Sequence, residues 1–220
     1  MWIEDGEDYF SLWRDYCSGN LAGKTLSEHL NREKTERLEK DGHFFIIKHA
    51  VNQGKISLLK RIFGGPIYRR RFLLTWKAID SGCDIVPRPY LLAEKPAGFR
   101  RVSESYLILE YLEGEVLAAP EGQVPEIWIR GLEDCLAALH RYGIASGNAH
   151  PWNLVRTGNG MKIIDISFKF PMLVSQANDI IDSGRKFGTQ VSVQGGKLKL
   201  TLALMRFKRS WIKFRKNRKR

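Results

Sequence analysis

Residues 146–155 read SGNAHPWNLV, residues 161–167 read MKIIDIS, and these two stretches decide the fold of the chain. Asn153 follows Asn148 by five residues, and Asp165 follows Asn153 by twelve. The residues between Asn153 and Asp165 predict a β-hairpin, because the turn residues TGNG separate two short apolar strands. A hairpin returns its ends to one place, so we expect the side-chain oxygens of Asn153 and Asp165 to converge.

Helices and strands precede these stretches in a recognisable order. Residues 125–141 have apolar side chains at helical spacing, and Gly143 then ends the predicted helix. Further upstream, SYLILEYL at residues 105–112 predicts a strand that leads into the turn EGE. RRRFLLTWKAIDSG at residues 69–82 predicts a helix, and HFFIIKHA at residues 43–50 predicts a buried strand that ends in Lys48. This order of elements indicates an α+β protein.

Composition narrows the class of protein. The 220 residues are 43% hydrophobic, which is enough for a substantial core. Nine of the twelve net positive charges lie in residues 206–220, so the remaining chain is nearly balanced and its charge does not indicate nucleic acid. Three widely spaced cysteines fit neither a disulfide framework nor a zinc site. The acidic N-terminus lacks the features of a secretory signal, so we expect a cytoplasmic protein.

The C-terminal residues predict an amphipathic helix. Apolar side chains recur at helical spacing as Leu200, Leu204, Phe207, Trp211 and Phe214. Basic residues flank this stripe, among them Arg206, Lys208, Arg209 and Lys213. We expect such a helix to lie on an anionic membrane surface. Two alternatives stay open, namely a helix packed on the rest of the chain and an RNA-binding tail, although no RNA-binding motif accompanies it.

The constellation around residues 146–167 resembles the catalytic and metal-binding loops of kinases that act on small molecules and sugars. In those kinases the catalytic loop reads Gly-Asp-x-His-x-x-Asn, and Gly147, His150 and Asn153 match it at the same spacing. The resemblance covers about residues 42–167 and is closest to the lipopolysaccharide core heptose kinases. It implies a protein-kinase-like, two-lobed α+β fold with nucleotide between the lobes. The expected division is an N-lobe at 1–112, a C-lobe at 113–198 and a basic tail at 199–220.

The resemblance also implies roles for individual residues. Lys48 would hold the α and β phosphates of ATP, and the backbone from Glu110 to Leu112 would bind adenine. Asn153 and Asp165 would bind Mg²⁺ and, through it, the nucleotide. Gly147 and His150 would support the loop.

Three departures from the family pattern accompany these matches. Asn148 stands where the family has its catalytic aspartate. The helix at residues 69–82 contains no glutamate that would pair with Lys48. Asp80 and Asp84 are the nearest carboxylates, but they follow the turn of the helix where the glutamate is expected. No glycine-rich loop precedes Lys48.

The function implied by the resemblance is ATP-dependent phosphorylation of a heptose in the lipopolysaccharide inner core, at the cytoplasmic face of the inner membrane. Asn148 would then orient the acceptor hydroxyl. The alternative is a catalytically impaired pseudoenzyme, tethered to the membrane, that binds nucleotide or a partner. A basic protein that binds nucleic acid ranks third.

Overall fold

A computed structural model of the chain describes residues 2–3, 7–29, 33–51, 67–97, 102–117, 123–166 and 172–217. The chain forms two compact units. The first contains Met1–Ile79 and Pro87–Leu112, and the second contains Asp80–Val86 and Glu113–Arg220. The segment from Asp80 to Val86 therefore belongs to the second unit, although it precedes the strand SYLILEYL in sequence.

The first unit is built on an antiparallel sheet of six strands in the order β1-β5-β6-β4-β3-β2. The strands are β1 (Trp2–Ile3), β2 (Lys24–His29), β3 (Glu33–Lys40), β4 (His43–Val51), β5 (Pro89–Pro96) and β6 (Val102–Glu110). In the part of this unit that the structure describes, two helices accompany them, α1 (Glu7–Cys17) and α2 (Ile67–Asp80).

Both faces of this sheet carry a hydrophobic cluster. Leu12 of α1 packs with Ile47, Leu91 and Ile108 in one cluster, whereas Tyr68 and Phe72 of α2 pack with Leu92 and Leu107 in the other. Neighbouring residues of a strand point to opposite faces, so a strand buried on both sides is apolar throughout. This accounts for the uninterrupted apolar run in β6.

Lys48 lies within β4, where it pairs with Leu107 of β6 and Thr35 of β3. The strand continues to Val51, so the prediction that it ends at Lys48 was wrong. Lys48 is half-buried, whereas its neighbour Ile47 is fully buried in the core. The alternation of side chains along a strand places the two residues on opposite faces of the sheet.

The described residues of the second unit form a small sheet and three α-helices. Its strands β7 (Glu115–Val116), β8 (Leu154–Thr157) and β9 (Gly160–Ile163) form an antiparallel sheet in that order. The helices are α3 (Glu126–Arg141), α4 (Met172–Phe187) and α5 (Gly196–Asn217), and a short 3₁₀ helix spans Pro151–Asn153. The predicted helix at residues 125–141 and the predicted hairpin are both present.

Helix α3 packs closely on the hairpin. Its apolar face, including Leu132, Leu136 and Leu139, is fully buried. A Cβ atom added at Gly131 would lie 2.8 Å from the Cγ atom of Met161 on β9, so any other residue here would displace the Met161 side chain. The close packing fixes the hairpin, and with it the residues at its two ends.

Helix α5 has two apolar faces with different surroundings. Leu198 and Leu202 are buried, whereas Phe207 is 69% exposed and Trp211 is 53% exposed. The predicted apolar stripe is therefore exposed to solvent from Leu200 to Trp211. The structure does not describe the side chains of Lys213 and Phe214. Within the described residues, no helix is long and apolar enough to cross a bilayer.

Candidate active site

The loop of residues 146–153, here called the catalytic loop, is held in shape by hydrogen bonds that start from Asn153. The Nδ2 atom of Asn153 donates to the backbone oxygen of Asn148 at 2.8 Å. The backbone oxygen of Asn153 accepts the N–H of Ile164, also at 2.8 Å. Asn153 thus joins the catalytic loop to the residue that directly precedes Asp165.

Asp165 lies beside Asn148. The Nδ2 atom of Asn148 donates to the Oδ2 atom of Asp165 at 3.4 Å. The backbone of Asp165 is left-handed, with φ at 55°, a conformation that L side chains adopt at a cost. Such strain persists where the surrounding structure imposes it and is typical of functional sites. Asn148 thus contacts both Asn153 and Asp165, and the convergence of the Asn153 and Asp165 side-chain oxygens stays a prediction.

The oxygen donors of this group fit a magnesium ion. The Nδ2 atom of Asn153 is bonded to Asn148, so its Oδ1 atom is the group of this side chain that would act as a metal ligand. Asp165 contributes a carboxylate from the end of the hairpin. Carboxylate and amide oxygens are the protein ligands that Mg²⁺ prefers, usually one or two of them together with phosphate and water oxygens. Asn153 and Asp165 therefore suit the ion that a nucleotide brings with it.

Asp179 on α4 holds the beginning of the catalytic loop. Its carboxylate accepts the backbone N–H of Ser146 at 2.7 Å and that of Gly147 at 2.9 Å. The Nε2 atom of His140 lies 3.4 Å from the same carboxylate. Asp179 is only 3% exposed, so these contacts replace the water that a carboxylate otherwise binds.

Asp179 was not among the residues predicted from the sequence. The available signal was a carboxylate on the apolar face of a helix, between Ala177 and Ile180. A buried carboxylate needs polar partners, but its position alone does not say which ones. Those partners are 32 and 33 residues away along the chain.

Gly147 and His150 have distinct structural environments. Gly147 has φ at 69°, which glycine adopts without strain. The ring of His150 stacks on Trp152 with 4.5 Å between centroids, and its edge-to-face contact with Phe187 spans 5.4 Å. Burial and the nearby Lys186 ammonium lower the pKa of His150. The neutral imidazole is therefore the favoured form, as suits an aromatic packing group.

The other predicted nucleotide residues belong to the first unit. The backbone N–H of Glu110 donates to the Arg88 oxygen at 2.8 Å, and the Glu110 carboxylate accepts the Arg88 N–H at 3.0 Å. These two bonds fix the end of β6 but occupy the N–H of Glu110. Leu112, two residues further along the chain, is half-buried and follows the end of the strand.

A polar cavity of about 220 Å³ lies between the catalytic loop and α4. The loop contributes four consecutive residues to its wall, and α4 contributes one face of the helix. The lining residues are Gly147, Asn148, Ala149, His150, Ser175, Asn178, Asp179, Asp182 and Lys186. The cavity therefore adjoins the residue that replaces the expected catalytic aspartate.

Comparison with proteins of known sequence gives relatives over most of the chain. The protein is 26% identical over 196 residues to the lipopolysaccharide core heptose(II) kinase WaaY of Escherichia coli strain K12, which covers 87% of this chain and 82% of that protein. Another Escherichia coli protein of the same name is 28% identical over 131 residues, 59% of this chain and 56% of that protein.

Comparison with solved structures supports the fold. WaaP, solved in complex with acyl carrier protein, superimposes with a TM-score of 0.56 at 15% identity, covering 94% of this chain and 89% of that one. The predicted α+β, kinase-like fold is confirmed by this likeness.

A family model covers nearly the whole chain. It is described as Lipopolysaccharide core biosynthesis protein (WaaY) and matches residues 2–217. The match extends far beyond the region from about residue 42 to residue 167 in which the motifs were recognised. The chain therefore belongs to the WaaY family of lipopolysaccharide core biosynthesis proteins.

Proposed function

We propose that the protein transfers the γ-phosphoryl group of ATP to a hydroxyl of a heptose in the lipopolysaccharide inner core. The observation that carries this proposal is the family match over residues 2–217, combined with the hydrogen-bonded group of Asn148, Asn153 and Asp165. In the reaction the heptose oxygen forms a bond to the γ-phosphorus while the bond between that phosphorus and the bridging oxygen of ADP breaks. The proton of the heptose hydroxyl passes to a phosphoryl oxygen or to water.

Phosphoryl transfer depends mainly on positioning and on positive charge near the phosphates. Lys48 would bind the α and β phosphates, and the backbone around Leu112 would bind adenine, since the N–H of Glu110 is already bonded to Arg88. Asn153 and Asp165 would hold magnesium, which supplies charge that offsets the negative phosphoryl oxygens.

Asn148 would orient the acceptor hydroxyl. Its Nδ2 atom bonds Asp165, so its Oδ1 atom is left to accept a hydrogen bond from the sugar. An amide is no base, and a lost general base costs a factor of about 10² to 10⁴ in rate. Because the transition state of phosphoryl transfer is loose, proton removal can come late, with a phosphate oxygen as the final acceptor. The hydrogen bond to Asp165 thus gives Asn148 an orientation suited to positioning.

The tail supports a location on the cytoplasmic face of the inner membrane. The exposed side chains of Leu200, Leu204, Phe207 and Trp211 would insert among lipid headgroups, and Arg206 and Lys208 would bind anionic phosphates. Each basic residue near such a surface contributes about 1 kcal/mol. The heptose acceptor is part of a lipid-linked glycan, so peripheral binding would bring enzyme and acceptor together.

Transfer of radiolabelled phosphate from ATP to a purified heptose-containing acceptor tests the proposal. Wild-type protein is expected to label the acceptor in the presence of magnesium, and the Asp165→Ala variant is expected not to. Phosphate analysis of core oligosaccharide from a strain that lacks the gene provides the cellular counterpart. Failure of wild-type protein to label the acceptor, with ATP binding confirmed, would leave a binding protein without transferase activity.

A further inference from the structure

We infer that the cavity between the catalytic loop and α4 binds hydroxyl groups of the acceptor sugar through Asp182 and Asn178, and that Arg209 positions these two side chains. The inference rests on the proposed function, because it takes a sugar as the acceptor. It adds the residues that recognise that sugar, which lie outside the motifs of the catalytic and metal-binding loops.

The cavity lies beside the residue that would orient the acceptor hydroxyl. This residue, Asn148, lines the cavity together with Asp182 and Asn178 of α4. A group held in the cavity would therefore lie next to Asn148. With a volume of about 220 Å³, the cavity is smaller than the roughly 300 to 1,000 Å³ of pockets for drug-sized ligands. Its size suits part of one sugar residue.

Arg209 determines which atoms of the two side chains remain for a ligand. Its guanidinium group donates to the Oδ1 atom of Asp182 at 2.9 Å and to the Oδ1 atom of Asn178 at 2.7 Å. This arrangement leaves the Oδ2 atom of Asp182 as an acceptor and the amide N–H groups of Asn178 as donors. A sugar hydroxyl both donates and accepts hydrogen bonds, so the pair matches one hydroxyl or two neighbouring ones.

The other carboxylate in the wall has a different task. Asp179 is buried and bonded to Ser146 and Gly147, so it belongs to the support of the catalytic loop. Asp182 is about 40% exposed at its side chain, and water or a sugar can reach it. Asn178 and Asp182 are four residues apart on α4, and residues at this spacing share one face of a helix. Asp179 lies between them in sequence, so the same turn of α4 anchors the loop and faces the cavity.

Arg209 itself comes from α5, the helix with the exposed apolar stripe. Its side chain is about one-third exposed, and its charge is engaged with α4. Among the basic residues predicted to bind the membrane, Arg209 is thus assigned to positioning the acceptor site.

The test measures acceptor and nucleotide constants separately. Asp182→Asn keeps an oxygen for Arg209 but replaces the remaining acceptor oxygen by a donor, and Asn178→Ala removes the amide. We expect the KM for the heptose acceptor to rise about tenfold or more in each variant, as the loss of a charged or well-placed hydrogen bond implies. The KM for ATP should stay unchanged. Asp134→Asn, a change at an exposed aspartate on α3, is the matched control.

Arg209 needs a test that separates positioning from folding. Arg209→Ala is expected to raise the acceptor KM with little change in kcat at saturating acceptor, and Arg209→Lys is expected to restore part of the affinity. Thermal unfolding of each variant identifies any that fail to fold. An Arg209→Ala variant that is folded and has the wild-type acceptor KM would remove the positioning role.

A binding measurement separates the cavity from the catalytic proposal. Calorimetry with soluble heptose-containing core oligosaccharide, in the presence of Mg-ADP, is expected to show binding to wild type and to Asp134→Asn, and weaker binding to Asp182→Asn. If wild type transfers phosphate and both cavity variants keep its acceptor KM, the cavity is not the acceptor site although the kinase function stands. If wild type neither binds nor phosphorylates the oligosaccharide, both proposals fail. Binding without transfer would support the cavity and contradict the catalytic function.

Discussion

Asp179 on α4 and Ser146 in the catalytic loop are joined by a buried hydrogen bond of 2.7 Å between the Oδ2 atom and the backbone N–H. A second bond, to the N–H of Gly147, makes the carboxylate a clamp on two consecutive peptide groups. The loop therefore takes its shape from a residue more than thirty positions away in sequence. Side chains that follow in the loop, Asn148 first among them, depend on this clamp for their position.

We predict that Asp179→Ala lowers the free energy of unfolding by about 3 kcal/mol, because it leaves one buried and one partly buried N–H group without their acceptor. Phosphate transfer should be lost even under conditions where the variant is folded. Urea unfolding and activity assays on the same samples check this, with Asp134→Asn as an exposed control. Wild-type stability in Asp179→Ala would show that the clamp contributes little.

Asp165 offers a test that separates the effect on stability from the effect on nucleotide binding. Its φ of 55° suits glycine, so Asp165→Gly should be at least as stable as Asp165→Ala, which keeps the strain. Neither variant should bind Mg-ATP in a magnesium-dependent way, since both lack the carboxylate. Calorimetry with and without magnesium, together with thermal unfolding, measures both effects. Unchanged nucleotide affinity in either variant would contradict the assignment of Asp165 as a metal ligand.

Asn148→Asp should increase phosphate transfer by about tenfold or more at saturating magnesium, because it supplies the missing base. The amide that it removes donates to Asp165 at 3.4 Å, so the variant brings two carboxylates together. Two carboxylates at such a distance repel each other, and we therefore expect the variant to be less stable than wild type when magnesium is absent. Rates and melting temperatures over a magnesium titration test this. An active wild type whose rate the substitution does not raise would mean that proton removal does not limit transfer.

The stability of the protein should fall at acidic pH in part through His150. Burial and Lys186 lower its folded-state pKa, so protonation favours the unfolded chain. The contribution of His150 to the free energy of unfolding is fully present above the ordinary histidine pKa of about 6.5. It is lost as the pH falls from there towards the lower folded-state pKa of His150. His150→Gln should make the free energy of unfolding less dependent on pH in this window. Urea unfolding at several pH values provides the measurement.

His49 provides the comparison for that experiment. Burial lowers its pKa as well, so His49→Gln should reduce the pH dependence in the same direction. The double variant should lose more of the dependence than either single variant. A wild-type pH profile in the double variant would indicate that other groups control acid sensitivity.

For the tail, deletion of residues 199–220 should release the protein from anionic vesicles, and salt should weaken the binding of the intact chain because it screens exposed charges. The deletion also removes the buried Leu202 and Arg209, which bonds Asp182, so it would disturb the fold as well as membrane binding. Point variants on the exposed face test membrane binding alone. Phe207→Ser with Trp211→Ser should reduce flotation with vesicles and leave stability unchanged.

The matched control for the tail removes exposed apolar side chains elsewhere in the second unit. Val116 and Ile127 are each about half exposed, and their double replacement by serine should leave flotation unaltered. If the Phe207 and Trp211 variant floats like wild type, the apolar stripe does not contact lipid.

The sequence predicted best those features that are local. The hairpin before Asp165 and the helix that precedes the catalytic loop follow from turn residues and apolar spacing within short windows. The prediction missed β3, whose residues EKTERLEK are mostly charged. This strand lies next to the edge strand β2 and buries only Glu36 and Leu38, so its alternation of apolar residues is weak.

Features that depend on distant contacts could not be predicted. The role of Asp179 requires knowing that α4 lies under the catalytic loop, and the role of Arg209 requires knowing where α5 packs. The strand that carries Lys48 was predicted, but its length was not, because β6 supplies partners as far as Val51. In each case the information lies in residues far away along the chain.

Helix α4 both holds the catalytic loop through Asp179 and lines the cavity through Asp182. An insertion or deletion in this helix would therefore disturb the relation between the two. Each residue turns an α-helix by about 100°, so one residue inserted between Asp179 and Asp182 would rotate everything beyond it away from its present direction. Asp182 and Lys186 would then leave the cavity while Asp179 kept its hold on the loop. Tags, linkers and circular-permutation sites should therefore be placed outside Met172–Phe187.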